Sequence, residues 1–136
     1  MRLHRQYLEL LSRYEGTGGA ETTLEELAGI WDCTVRNAAL VVARMEERGW
    51  IGWQARRGRS KRSALTLVAT EDEIAASLIG LAQSGRDMLL ALEQLAPLAP
   101  SGRLRSHLET ELLSRFGFRR ETAGRRKIDV LRLPIR

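Results

Sequence analysis

Apolar residues recur at helical spacing from the start of the chain. Leu3, Tyr7, Leu8, Leu11 and Tyr14 share a side, while Arg5, Glu9 and Arg13 lie on others, a pattern that predicts an amphipathic helix over 3–14. The glycine-rich run Gly16–Gly19 should end it. No GK[ST] follows, so the run reads as a connection and not as a phosphate loop. Thr22, Thr23 and Leu24 read as a short strand opening into a second helix, whose start is marked twice by the capping-box pairs Thr22/Glu25 and Thr23/Glu26. Leu24, Leu27, Ala28 and Trp31 form its inward stripe. The pattern breaks at Asp32 and Cys33, and Thr34 can cap a third helix that runs to Gly49, a natural C-terminal stop. Its inward seam is Cys33, Ala38, Val42 and Met45, with Val41 near the edge.

From Trp50 to Leu67 the sequence WIGWQARRGRSKRSALTL alternates as two strands around a tight turn. Trp50 and Trp53 fall on opposite strand faces, so at most one is fully inward. Two short helices, a turn and a hairpin match a helix-turn-helix with a wing. Beyond Val68, the pair Thr70/Glu73 and the stripe Ile74, Leu78, Leu81 and Ala82 predict a helix stopped by Ser84 and Gly85. A further helix spans Asp87–Leu95, ahead of Pro97 and Pro100. Ser101 is placed to cap another, with Leu104, Leu108, Leu112 and Phe116 spaced by four. These stripes must bury against the winged helix or against a second copy in a homodimer, and the sequence leaves both open. The fold class expected is mainly α with a small β-hairpin (α+β): a winged helix-turn-helix over 1–68 and a helical extension over 69–118. Residues 119–136 read as a basic linker, Arg119–Lys127, followed by a short strand in which Ile128 and Val130 alternate with the other face.

Charge adds a partner to this outline. Twenty-two Lys and Arg against 17 Asp and Glu leave a net charge of +5, which favours an acidic surface such as nucleic acid. The hairpin concentrates that excess: Arg56, Arg57, Arg59, Lys61 and Arg62 crowd one tip, where like charges repel unless an anion neutralises them. On the third helix the outward face carries Thr34, Arg36, Asn37, Leu40 and Arg44. Arg36 and Asn37 have the chemistry to read guanine and adenine edges, and Thr34 can bind a phosphate. Double-stranded DNA is therefore the expected partner.

Other functions find little support. A single cysteine, Cys33, excludes an internal disulfide and a thiolate-rich zinc site. No apolar run is long enough for a signal peptide core or a membrane span, so the cytoplasm is the default location. His4 and His107 are isolated and read as surface or helix-face residues. Glu71, Asp72 and Glu73 suit the dipole of a helix start. No nucleophile, base and orienting group assemble, so neither enzyme activity nor a cofactor or metal is expected.

The residues also resemble a family. Cys33-Thr34-Val35-Arg36, then Gly49-Trp50-Ile51-Gly52-Trp53, then Gly58-Arg59-Ser60-Lys61-Arg62-Ser63-Ala64-Leu65-Thr66-Leu67 are similar to the N-terminal winged helix of SgrR-type transcriptional regulators. The similarity is clear from Leu3 to Leu67 and weaker through Phe118. It implies a bacterial DNA-binding regulator, in which the strand near Pro134 would begin a solute-binding domain; the chain would then be a fragment or a shortened version. Ser60 stands where the family has glycine and Leu67 where it has an aromatic residue. With Val35 and Ala39 on the third helix, the wing is expected to supply the larger share of affinity. The rival expectation is a winged-helix protein-interaction module, which Val35, Ala39, Leu40 and Ala43 would suit.

Overall fold

The computed structural model describes residues 1–14, 19–56 and 62–117, and the backbone of 120–121 and 130–131. Helices α1 (Arg2–Arg13), α2 (Leu24–Trp31) and α3 (Val35–Glu47) accompany strands β1 (Gly19–Thr22), β2 (Ile51–Gln54) and β3 (Ser63–Leu67). Helices α4 (Glu71–Leu81), α5 (Gly85–Leu95) and α6 (Arg103–Phe116) follow, with a 3-10 turn at Ala96–Leu98. A short antiparallel pair, β4 (Arg120–Glu121) and β5 (Val130–Leu131), comes last, so part of the expected basic linker is strand. The chain divides into two compact units at Thr70/Glu71, with Leu98–Pro100 grouped with the first. No helix among the described residues is long and apolar enough to cross a membrane.

The first unit is a winged helix. Thr23 caps α2 by accepting the Glu26 N–H at 3.1 Å, and Thr34 caps α3 by accepting the Asn37 N–H at 3.1 Å, each satisfying a donor that the helix start leaves open. Between them Asp32 takes a left-handed backbone at φ 51°, which makes the turn tight. At the far end of α3, Gly49 is at φ +73°, with Gly49 N–H bonded to Glu46 O and Trp50 N–H to Met45 O, both at 2.9 Å. That double closure needs a residue free to adopt positive φ. It delivers the chain directly into β2.

The sheet is three-stranded and antiparallel in the order β1-β3-β2, one strand more than a hairpin. The extra strand begins at Gly19, within the expected glycine connection, and ends at Thr22 instead of continuing to Leu24. A Cβ on Gly19 would lie 2.6 Å from the Leu65 carbonyl oxygen, so glycine is what lets β1 approach β3 there. Trp50 is 8% exposed and Trp53 only half-buried, so one tryptophan is inward, as the alternation requires. On α1 the buried stripe is turned toward His4, which is 2% exposed while Leu3 and Leu11 are half-buried. His4 is thus a helix-face residue, as one of the two expectations had it, but on the buried face of α1 and not at the surface. Its ring packs edge-on against Trp50, centroids 5.0 Å apart, and burial, then the positive N-terminus and Arg48, push its pKa down to about 4. Folded at neutral pH, it is uncharged.

In the second unit the three apolar stripes close on one another. Ile74, Leu78, Met88, Leu92, Leu104 and Leu108 are buried together in a small helical core, whereas Leu81 is 59% exposed and lies outside the stripe. Ser84 does not stop α4 alone: its side chain caps α5 by accepting the Asp87 N–H at 3.2 Å. The cap position of α6 is Gly102, which offers no side-chain oxygen, while the expected Ser101 serves the helix start from one residue earlier, its hydroxyl accepting the Arg103 N–H at 3.3 Å. Glu71 completes the cap, accepting Ser101 N–H at 2.9 Å and Leu104 N–H at 3.3 Å. A buried carboxylate on two helix-start donors makes charge-assisted bonds. Glu71→Ala should therefore destabilise this unit by about 2–3 kcal/mol, because it strands two donors. Glu71→Gln keeps an acceptor and should cost about half as much. Urea unfolding followed by helical circular dichroism checks both; equal losses would show that the acceptor is irrelevant.

Candidate nucleic-acid interface

Helix α3 presents its charged and amide groups on one exposed face. The inward turns bury Ala38, Val42 and Met45, which leaves Arg36, Asn37, Leu40 and Arg44 pointing to solvent. Among the described residues Arg36 and Arg44 form no ion pair, so both guanidinium groups are available to an anion. Arg48 is used differently: its guanidinium lies 5.2 Å from the Trp50 ring centroid, a cation–π contact that braces the end of α3. The Thr34 hydroxyl oxygen accepts the Asn37 N–H, and its own O–H, which has no acceptor among the described residues, can donate to a phosphate. Along one flank of this face a groove of about 190 Å³ separates α3 from α1, lined among others by Asn37, Leu40, Arg44 and Arg2. Arg2 was not foreseen from sequence, since only the fold brings the first turn of α1 beside Arg44.

The wing is anchored by its flanking arginines. Arg56 follows β2 and donates to the Glu21 carboxylate at 2.9 Å. Arg62 precedes β3 and donates to the Glu21 carbonyl at 3.0 Å and to Glu26 Oε2 at 2.6 Å. A relay continues from the same carboxylate, with Thr22 Oγ1 donating to Glu26 at 2.9 Å and Tyr14 Oη donating to Thr22 at 3.2 Å. The Arg62 guanidinium, then Thr22, hold the Glu26 carboxyl below the usual carboxylate range. Arg56 and Arg62 are thus both turned toward the corner where β1 meets α2. Arg57, Arg59 and Lys61, the tip itself, lie outside the described residues.

Comparison with known proteins places this architecture. The family model described as "Sugar transport-related sRNA regulator N-term" matches residues 2–116, which takes in both the winged helix and the helices that follow. The chain belongs to the SgrR N-terminal family. It is 39% identical over 95 residues to the HTH-type transcriptional regulator SgrR of Yersinia enterocolitica serotype O:8 / biotype 1B, covering 67% of this chain and 17% of that protein. Against the regulator of the same name from Yersinia pestis (strain Pestoides F) it is 42% identical over 64 residues, 47% of this chain and 11% of the relative. The Escherichia coli O1:K1 / APEC regulator gives 42% over 69 residues, 51% of this chain and 12% of the relative. The chain therefore matches only a small part of the length of these relatives. No solved structure is a significant match. In SgrR terms, the Cys33-Thr34-Val35-Arg36 motif forms the turn and first turn of α3, and Gly49-Trp50 forms the closure that leads into the wing.

Proposed function

We propose that this chain is the DNA-binding part of a bacterial transcriptional regulator, acting in the cytoplasm and without a catalytic step. The observation that carries the reading is the α3 face, where Arg36 and Arg44 stand exposed and without ion pairs among the described residues, beside Asn37 on a helix held in a helix-turn-helix. In this reading Thr34, Arg36 and Asn37 enter the major groove from the N-terminal half of α3, and Arg44, in its last turn, meets the flanking backbone. Arg57, Arg59 and Lys61 grip the flanking backbone or an adjacent minor groove. Arg56 and Arg62 set the direction of the wing through Glu21 and Glu26, and reach phosphate only by exchanging those partners. The curated relatives are named as HTH-type transcriptional regulators, which supports the same reading.

If about four phosphates are neutralised, log K for a duplex should fall with log salt at a slope near about −3.6. A binding titration on duplex DNA across a salt series measures it. Absent binding at low ionic strength, or binding that ignores salt, would overturn the reading. A homodimer through the second unit has less apolar surface to use than its sequence suggests, since the stripes close on one another; Leu81, Leu90 and Leu113 are what a second copy could cover. The second reading, a protein-docking module, is favoured by exposed Val35 and Leu40 on α3.

A further inference from the structure

Leu40 occupies the middle of the outward face of α3. It is 53% exposed and lies one helical turn from both Arg36 and Arg44. Val35, in the first turn, is 42% exposed. The groove on the flank of Leu40 is lined by Leu3, Cys33 and Val41 together with Asn37, Arg44 and Arg2, and contains no acidic residue. Glu47 shares the outward direction but sits near the C-terminal end of α3, away from the end that approaches the bases. The face is therefore an exposed leucine flanked by the guanidinium groups of Arg36 and Arg44, with Arg2 across the groove. A protein surface would match the centre but would leave three cations to be paired. Duplex DNA matches both, because its phosphates flank a major groove in which the thymine C5-methyl is an exposed apolar group.

We propose that Leu40 is a specificity-determining residue that packs on a thymine methyl in the major groove, so that this helix selects a site by shape and apolar contact at its centre and by Arg36 and Asn37 beside it. The inference rests on the DNA-binding reading and names what that reading leaves open, the base class preferred. It also accounts for leucine at a position where a solvated helix face would ordinarily carry a polar group.

The test starts from duplexes selected out of a random-sequence pool with the full chain. Deoxyuridine, which lacks only the methyl group, then replaces each thymine of the selected site in turn. The unaltered protein should lose about fourfold in affinity at one or more of these positions, the worth of one buried methyl. Leu40→Ala, a change at an exposed side chain whose folding circular dichroism verifies, should bind the thymine and uridine versions within about 1.5-fold of each other. Uridine tolerated at every thymine overturns the proposal. So does a uridine penalty that persists in Leu40→Ala, or salt-dependent binding with no common sequence in the selected pool. In those three cases DNA binding stands and Leu40 does not read thymine. No retention of any duplex at low ionic strength overturns both readings at once.

Discussion

Replacing Arg57, Arg59 and Lys61 by glutamine is expected to lower affinity for duplex DNA by about 10²–10³-fold at 0.1 M salt and to flatten the salt slope from about −3.6 to about −0.9. Each phosphate neutralised releases condensed counterions, and three such contacts amount to a slope change of about 2.7. The effect should be nearly the same on every sequence, because phosphate contacts position the protein without reading bases. Arg56→Gln with Arg62→Gln should behave otherwise. Those side chains are engaged by Glu21 and Glu26, so their loss should weaken binding far less per residue and change the slope little. Equal losses from the two variants would mean that the flanking arginines leave their carboxylates for phosphate on binding. An unchanged slope in the tip variant would remove the wing from the interface.

The largest loss of stability should come from Trp50→Ala. The indole is buried between His4 and Tyr7, at centroid distances of 5.0 and 5.5 Å, with the Arg48 guanidinium over its ring. Its backbone is equally committed: the N–H closes α3, and the carbonyl accepts the N–H groups of Val68 and Ala69 at 2.8 and 3.1 Å. Trp50 thus joins α1, the end of α3 and the exit of β3. Removing a large aromatic side chain from a packed site costs about 3–5 kcal/mol, while a unit of this size at the low end of about 0.05–0.15 kcal/mol per residue holds only about 3.5 kcal/mol in reserve. The first unit should therefore be substantially unfolded at 37 °C. Trp50→Phe, which keeps an aromatic ring, should lose about 1–2 kcal/mol and remain folded. Urea denaturation of the three proteins measures the series, and a Trp50→Ala variant within 1 kcal/mol of the parent, about fivefold in the folding equilibrium, would show that the cluster is not a keystone of the unit.

Local chemistry made much of this fold legible in the sequence. Thr23, Thr34 and Gly49 mark helix ends through contacts a few residues away, and the seam Ala38, Val42 and Met45 follows from helical period alone. What was not legible depends on partners far along the chain. β1 lies at Gly19–Thr22 because β3 offers it an edge, and nothing near Gly19 announces that edge. Glu21 and Glu26 meet arginines 35 and 36 residues away, so no spacing rule pairs them. Glu71 reads as an ordinary acidic helix start, yet its oxygens serve the beginning of a different helix, 30 and 33 residues on. His4 looks like a polar residue beside a stripe until Trp50 arrives to cover it. In the candidate interface the same division holds: the residue types on α3 were readable, whereas the engagement of Arg56 and Arg62, and the nearness of Arg2, were not.

The close approach of Gly19 to Leu65 reaches further than the sheet. Any side chain at position 19 would meet the Leu65 carbonyl oxygen and push β1 away from its neighbour, and Glu21 on that strand would carry its carboxylate off with it. Arg56 would then lose its partner and Arg62 one of its acceptors. In a genetic screen, such a change would be scored as a defect in gripping DNA, although the altered residue touches none: the aim of the wing is set by an atom that is absent.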